Sequence, residues 1–529
     1  VRRVVPLNKL TETRTNTKEL TLSNLLTYSA AIKSHNINIL TGYSEILNKY
    51  NFLSAYRQGF YNNDIQSISQ GANDITRSND GGESQWGLRS YFGRVNYSYQ
   101  DKYLFEANGR FDGSSRFTKA NRYSFFPSFS AGWRISKEKF WDNIGETINE
   151  FKLRGSWGKT GNQAVALYSY FPTLNNVTYS ANGLPIQGFT QQRMTNEDIT
   201  WETTTQSDIG IDAQFFNNKI SFTADYYNKR TDGILLVLPV PGTLGLLPTA
   251  QNAGRVDNKG WEFTMGSHNN FGRFSFDANL NFSVNNNKVI NLAGTGPYIT
   301  GSITEANYIT GEGYPINSLW GYKSGGLFQS QEEINNSPTI KVGVKPGDVK
   351  YLDLNGDKKI DSYDMTYLGA TFPKYFFGSS FNLTYKSFVL NILLQGAAAE
   401  KTSFSGAFGT LGNVEAFVPD ILTNNYWTSE RPNARFPRPA KNDLTNAYVS
   451  DQKTIDASYL RLKNLQLMYQ LPSAVTQKLV NQLSVYVSTT NVLTFSKLNE
   501  WHIDPESSSG RVENYPQTSL YSFGINIKF

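Results

Sequence analysis

The stretch Tyr351–Asp364 reads YLDLNGDKKIDSYD and spaces its oxygen-bearing side chains evenly. Counting from Asp353, side-chain oxygens fall at positions one, three, five, nine and twelve as Asp353, Asn355, Asp357, Asp361 and Asp364. The Lys359 carbonyl stands at position seven. A twelve-residue calcium loop supplies its ligands in this order, and an oxygen-only set suits calcium better than a transition metal. Two positions depart from the pattern. The last ligand is aspartate rather than glutamate, and the sixth residue is Lys358 instead of glycine, although Gly356 is close by. Ile360 supplies the apolar eighth position. No amphipathic helix pattern flanks the loop, so a calcium-driven helix switch is not expected. The expectation is a structural calcium ion that orders a surface loop with few apolar residues at its tip. The alternative is an Asx-rich turn whose side chains bond the backbone.

Other chemistry is thinly supported. Gly158-Lys159-Thr160 in SWGKTGNQ suggests a phosphate loop, but Leu153 stands where that motif needs its first glycine. G-x-S-x-G and H-E-x-x-H do not occur. With no cysteine, thiol chemistry, disulfides and cysteine-ligated zinc are excluded, and three scattered histidines (His35, His268, His502) argue against a histidine metal centre. The net charge of +6 is spread without a basic cluster, which argues against nucleic-acid binding. Trp201, Trp261, Trp320, Trp427 and Trp501 are candidates for stacking on sugar rings or, near strand ends, for anchoring at an interface. No catalytic residue is assigned, and the chain does not read as an enzyme.

The elements that must carry these residues are strands. In LYSFGINIKF, Tyr521, Phe523, Ile525, Ile527 and Phe529 share one face, and Ser522, Gly524, Asn526 and Lys528 the other. YFGRVNYSY, YLFEANGRF, FFPSFSAGWRI and FSFDANLNFSV repeat this period of two, which marks strands with one apolar and one polar face. About fifteen such segments fall near residues 22–30, 35–43, 91–99, 103–111, 125–135, 151–158, 206–216, 220–228, 261–267, 274–284, 377–385, 387–395, 459–469, 483–491 and 521–529. Their length is close to the ~9–11 residues of a tilted transmembrane strand, whereas no apolar run reaches the ~20 residues of a membrane helix. Turns such as QDK (100–102) and the one at Lys386 alternate with long connections at 44–90, 159–205, 229–260, 285–376, 396–458 and 492–520. This is the rhythm of an all-β, transmembrane antiparallel β-barrel with short turns on one side and long extracellular loops on the other. The calcium-type motif falls in the loop 285–376.

Ordered blocks of sequence add a resemblance. GRFDGSSRF, NRYSFFPSFSAGWRIS, LRGSWGKTGNQ, ITWETTTQSDIGIDAQFFNNKISFTADYYNKRTDGIL and NAGRVDNKGWEF occur in turn. GDVKYLDLNGDKKIDSYDMTYLG, SYLRLKNLQLMYQLP, VYVSTTNVLTF and YPQTSLYSFGINIKF follow them. From about residue 20 onward the chain resembles the SusC/RagA-like TonB-dependent transporters of the Bacteroidota outer membrane. The resemblance implies a 22-strand barrel around a plug, energised by the TonB–ExbB–ExbD complex and paired with a SusD-like surface lipoprotein. It further implies uptake of a glycan or peptide by a multi-pass protein of the cell outer membrane. Neither plug nor TonB box is recognisable, and about fifteen strands is an odd number. Residues 1–529 are therefore expected to be the C-terminal, barrel-forming half, completed by an N-terminal half that carries the plug and first strands. Two other functions fit less of the pattern: a passive outer-membrane porin, and a surface carbohydrate-binding or glycosidase module.

Overall fold

The computed structural model describes residues 7–238, 240–302, 306–403, 420–423, 425–440, 444–472, 480–507 and 517–529. Fifteen strands hydrogen-bond in chain order into one antiparallel sheet. They are β1 (Lys9–Ile32), β2 (His35–Gln58), β3 (Ser78–Tyr99), β4 (Tyr103–Ser114), β5 (Tyr123–Arg134), β6 (Ile148–Asn162), β7 (Glu202–Phe215), β8 (Ile220–Asp232), β9 (Arg255–Phe271), β10 (Phe274–Asn291), β11 (Tyr375–Tyr385), β12 (Phe388–Ala398), β13 (Tyr459–Gln470), β14 (Gln482–Ser496) and β15 (Leu520–Lys528). Every segment expected from the period-two pattern is present as a strand.

Registry keeps like with like. Between β10 and β11, Ala278 faces Phe381 and Phe282 faces Phe377, while Asp277 faces Asn382 and Asn279 faces Ser380. β12 continues the apolar row, with Ile392 opposite Phe381 and Leu390 opposite Leu383. A slip of one residue would put every one of these side chains on the wrong face. On β15 the row Tyr521, Phe523, Ile525 and Ile527 stays more than half exposed, an apolar face that the described residues leave uncovered. Two of the short turns close without glycine, Gln100 and Asp101 taking φ of 54° and 55° and Lys386 taking 53°, while the β9–β10 turn uses Gly272 at φ 65°.

The chain divides into two compact units. In the first (residues 1–131, 156–205 and 231–253), β1 and β2 are each 24 residues long. The expected segments 22–30 and 35–43 were too short. At ~3.3 Å per residue such strands run roughly 80 Å, about twice what a tilted crossing of a ~30 Å hydrocarbon core needs. The extra length needs no apolar face, because backbone pairing and polar cross-strand contacts hold it. Thr13 and Ser54 hydroxyls lie 3.0 Å apart, and Asn48 donates to Glu19 at 3.0 Å. The connection expected over 44–90 accordingly shrinks to 59–77. This unit's core joins Phe117, Phe126, Val165, Ile199 and Trp201. Trp201 sits 5.2 Å from Phe117 and 5.3 Å from Phe126, and its indole donates to the Arg122 carbonyl at 3.0 Å. It is a core residue, not a ring platform or an interfacial anchor.

The second unit holds residues 132–155, 206–230 and 254–529. Its longest connection starts after Asn291, because β10 continues past the expected boundary. That connection folds on itself. Tyr298–Gly301, Asn307–Thr310, Ser318–Gly321 and Thr366–Gly369 form a four-stranded sheet. Beside it Tyr322, Leu327, Val349, Tyr351, Ile360 and Met365 form a buried core. The connection thus has an apolar core of its own, to which the acidic tip contributes Ile360. A second cluster gathers Leu422, Phe436, Ala457, Leu498, Trp501 and Ile503. Trp501 packs edge-on to Phe436 at 5.4 Å, so it too is a core residue. Trp261 remains 47% exposed on the apolar face of β9.

Candidate functional site

At the long-connection ends of β10 to β13 the polar face carries a charged cluster. β13 brings Tyr459 and Arg461 to one face, and a bulge between Leu462 and Asn464 breaks its register there. The Arg461 side chain is only 1% exposed. Its Nη2 meets Asp504 at 2.7 Å, its Nη1 meets Glu506 at 2.5 Å, and its Nε donates to Thr494 at 2.9 Å. Glu506 also accepts from Lys463 Nζ at 3.0 Å, Gln395 at 3.2 Å and the Tyr459 hydroxyl at 3.3 Å. A buried guanidinium survives desolvation only when its charge and donors are matched, and two carboxylates do that here. The segment Ile503–Ser507 is thereby tied to the strand wall.

This tie encloses one side of a cavity of about 780 Å³, within the range of small-molecule sites. Asn281, Phe376, Gln395, Glu400, Tyr459 and Glu506 are among its lining residues. Glu400 lies two residues beyond β12, outside the strand. Burial, and secondarily the neighbouring Asp456 carboxylate, push its carboxyl up to about 7. Asp456 is itself supplied with donors by Ser458 at 3.0 Å and by Lys401 at 3.7 Å. Among the described residues nothing donates to the Glu400 carboxylate. It is the odd acid of the site.

The six positions read as calcium ligands lie together in the loop Asp353–Asp364, and each carboxylate serves the backbone. Asp353 accepts from Gly356 N at 2.6 Å and Lys358 N at 2.8 Å. Asn355 accepts from Asp357 N, and Asp357 from Lys359 N. Asp361 accepts from Tyr363 N, and fully buried Asp364 accepts from Leu354 N at 2.8 Å and Asp361 N at 2.9 Å. Ile360 is buried in the loop core, as an apolar eighth position should be. Lys358 takes φ +67°, so the turn adopts the left-handed backbone that glycine would supply more cheaply. Among the described residues no three His, Cys, Asp or Glu side chains converge as a metal-ligand set.

Further along the polar face, β6, β7 and β8 meet at Arg154. It contacts Asp225 at 2.7 Å, Asp212 at 3.2 Å and Asp208 at 3.4 Å. Gly210 makes room: a Cβ there would stand 2.1 Å from Asp225 Oδ1 and 2.7 Å from Arg154 Cζ. Neither cluster was foreseen from the sequence. Arg461 and Lys463 could be placed on a polar strand face in SYLRLKN, and WHIDPES offers two acids beside a proline. Nothing in one sequence says that these two stretches meet.

The comparisons with known proteins agree with this fold. A family model described as "TonB dependent receptor-like, beta-barrel" matches residues 5–386. TonB-dependent receptor P3 of Formosa agariphila is 31% identical over 97% of this chain and 52% of its own length. SusC, a TonB-dependent receptor of Bacteroides thetaiotaomicron, is 28% identical over 76% of this chain and 40% of its own. The chain thus spans about half the length of the curated relatives it matches. A solved structure of the RagAB peptide transporter superposes with a TM-score of 0.83 at 22% identity, covering 99% of this chain and 57% of that one. With fifteen two-faced strands in chain order and most of its length under the family model, the chain belongs to the TonB-dependent receptor β-barrel family of the outer membrane and resembles its SusC/RagA-like members.

Proposed function

We propose that the whole protein of which this chain supplies the barrel strands imports a bulky nutrient, an oligosaccharide or a peptide, across the outer membrane. The observation that carries this reading is the sheet itself. Its strands keep an apolar row on one face, as β15 shows, while ion pairs at half-buried Arg154 and buried Arg461 gather on the other. Such a wall suits lipid outside and a hydrated lumen inside. The long connections would meet the substrate and a SusD-like surface lipoprotein acting as a lid. TonB would act through a plug. Calcium held by Asp353, Asn355, Asp357, the Lys359 carbonyl, Asp361 and Asp364 is proposed as a structural aid to the loop, supported by ligand order alone. No catalytic role is proposed, and no observation favours a passive pore or a surface glycosidase.

The test is uptake. Cells lacking the gene should lose growth on one class of oligomeric nutrient, glycan or peptide, and complementation should restore it only when TonB is functional. Growth on every oligomer, unchanged by the deletion, would overturn the reading.

A further inference from the structure

The charges at the cavity between β10, β13 and the loop after β14 do not balance. Arg461 is matched by Asp504 and Glu506, and Lys463 by Glu506. Asp456 has Lys401. Among the described residues Glu400 has no cation of its own, and burial with a like charge beside it makes its ionised form costly. Asp456 is the described charge that bears on it, Lys401 and Lys497 act on Asp456, and Lys463 on β13 and Glu506 from the loop after β14 share the cavity lining. Lys401 is paired with Asp456 and Lys463 with Glu506. The uncharged lining mixes the rings of Phe372, Phe376, Phe377 and Tyr459 with amides and small residues such as Asn281, Gln395 and Gln517. Phe372 and Phe376 are 62% and 45% exposed, and Tyr459 lies on the same wall. Half-exposed rings beside an uncompensated carboxylate form the pairing that recognises an organic cation, by ring-face attraction on one side and charge on the other. An anionic ligand would meet the carboxylates of Glu400 and Glu506 in this lining.

We propose that this cavity receives a protonated amino group of the imported ligand, with Glu400 as its counter-charge and the ring of Phe376 on its approach. The proposal rests on the import reading and narrows it to amine-bearing substrates. The amine could belong to a basic peptide or to an amino sugar, which present the same chemistry to Glu400. The ion pairs of Arg461 and Lys463 stay as they are, and Glu400 gains a partner when the ligand enters.

The experiment uses the whole receptor purified in detergent and two matched pairs of probes. One pair is an end-capped Ala-Lys-Ala peptide and its norleucine analogue. The other is a glucosamine trimer and its N-acetylated form. The lysine peptide should bind at least about tenfold more tightly than its norleucine analogue at about pH 8, or the glucosamine trimer, whose amines lose their protons above neutrality, at least about threefold more tightly than its acetylated form at about pH 7. Which pair responds identifies the source of the amine. Glu400 must be ionised to hold a cation, so affinity is present above its pKa of about 7 and is lost as pH falls. From about pH 8 to about pH 6 the lysine peptide should weaken roughly tenfold, the change in ionised fraction across that pKa. Glu400→Gln should remove the preference for the amine and flatten the pH profile. If that variant does not fold, Phe376→Leu keeps the test alive: it should weaken the amine probe about two- to fivefold and leave the neutral one unchanged. Equal binding of charged and neutral probes, or amine binding untouched by Glu400→Gln, overturns the proposal. Glu400-dependent binding without TonB-dependent uptake in cells would refute the import reading instead. Uptake with binding that ignores Glu400 would refute this proposal alone.

Discussion

Replacing Arg461 with methionine keeps most of the side-chain volume but removes the guanidinium that holds the loop after β14. Asp504 and Glu506, 13% and 15% exposed, would then face each other without their shared cation. Breaking a buried ion pair by removing one partner costs about 3–5 kcal/mol. Lys463 still reaches Glu506 at 3.0 Å, so the lower end applies, about 3 kcal/mol. The loss falls on the docking of Leu498–Ser507 rather than on the strand ladder, because β13 and β14 pair through backbone bonds that the substitution leaves intact. At about 1.4 kcal/mol per decade, local opening should become roughly a hundredfold more frequent. Hydrogen–deuterium exchange of the intact receptor, read by mass spectrometry over residues 498–507, measures this directly. Protection should fall by about two decades in the loop and stay unchanged in β13 and β14. Adding Asp504→Asn and Glu506→Gln should recover most of the protection, since the orphaned charges are then gone. Loop protection that Arg461→Met leaves unchanged would refute the reasoning, and so would a triple variant no better than the single one.

Gly210→Ala should push Asp225 away from Arg154, because the new Cβ would stand 2.1 Å from the carboxylate. A cost of about 2–3 kcal/mol is expected, visible as a lower temperature for heat-modified migration on a gel; an unshifted transition would show that the cluster does not stabilise the wall. Leu467→Arg, on the apolar face opposite Leu390, should cost up to about 2–4 kcal/mol in lipid and reduce receptor level at the surface. Gln466→Arg, on the opposite face, should be tolerated, and equal effects of the two would contradict the assigned faces. If calcium is bound at Asp353–Asp364, chelation or Asp357→Ala should expose the chain between Leu352 and Met365 to protease. Cleavage that ignores both would leave the loop to its Asx turns and to Ile360.

The sequence by itself determined the strands and their faces. A period of two survives in every strand that must present one apolar face, and residue type alone records it, as from Tyr521 to Ile527. Where that demand lapses, the record fades: the polar portions of β1 and β2 read as connection, although they pair along their full length. The acidic loop was legible as a motif because its ligand order is local, and Asx turns are local too. Whether Trp201 and Trp501 served a surface or a core was not, because burial depends on what the long connections fold against. Nor could the sequence place the cavity. Arg461 finds Asp504 and Glu506 across more than forty residues, and Glu400 owes its raised pKa to burial and to Asp456 on another loop strand. Charge pairing of that kind depends on distance in space, and only the tertiary structure supplies it.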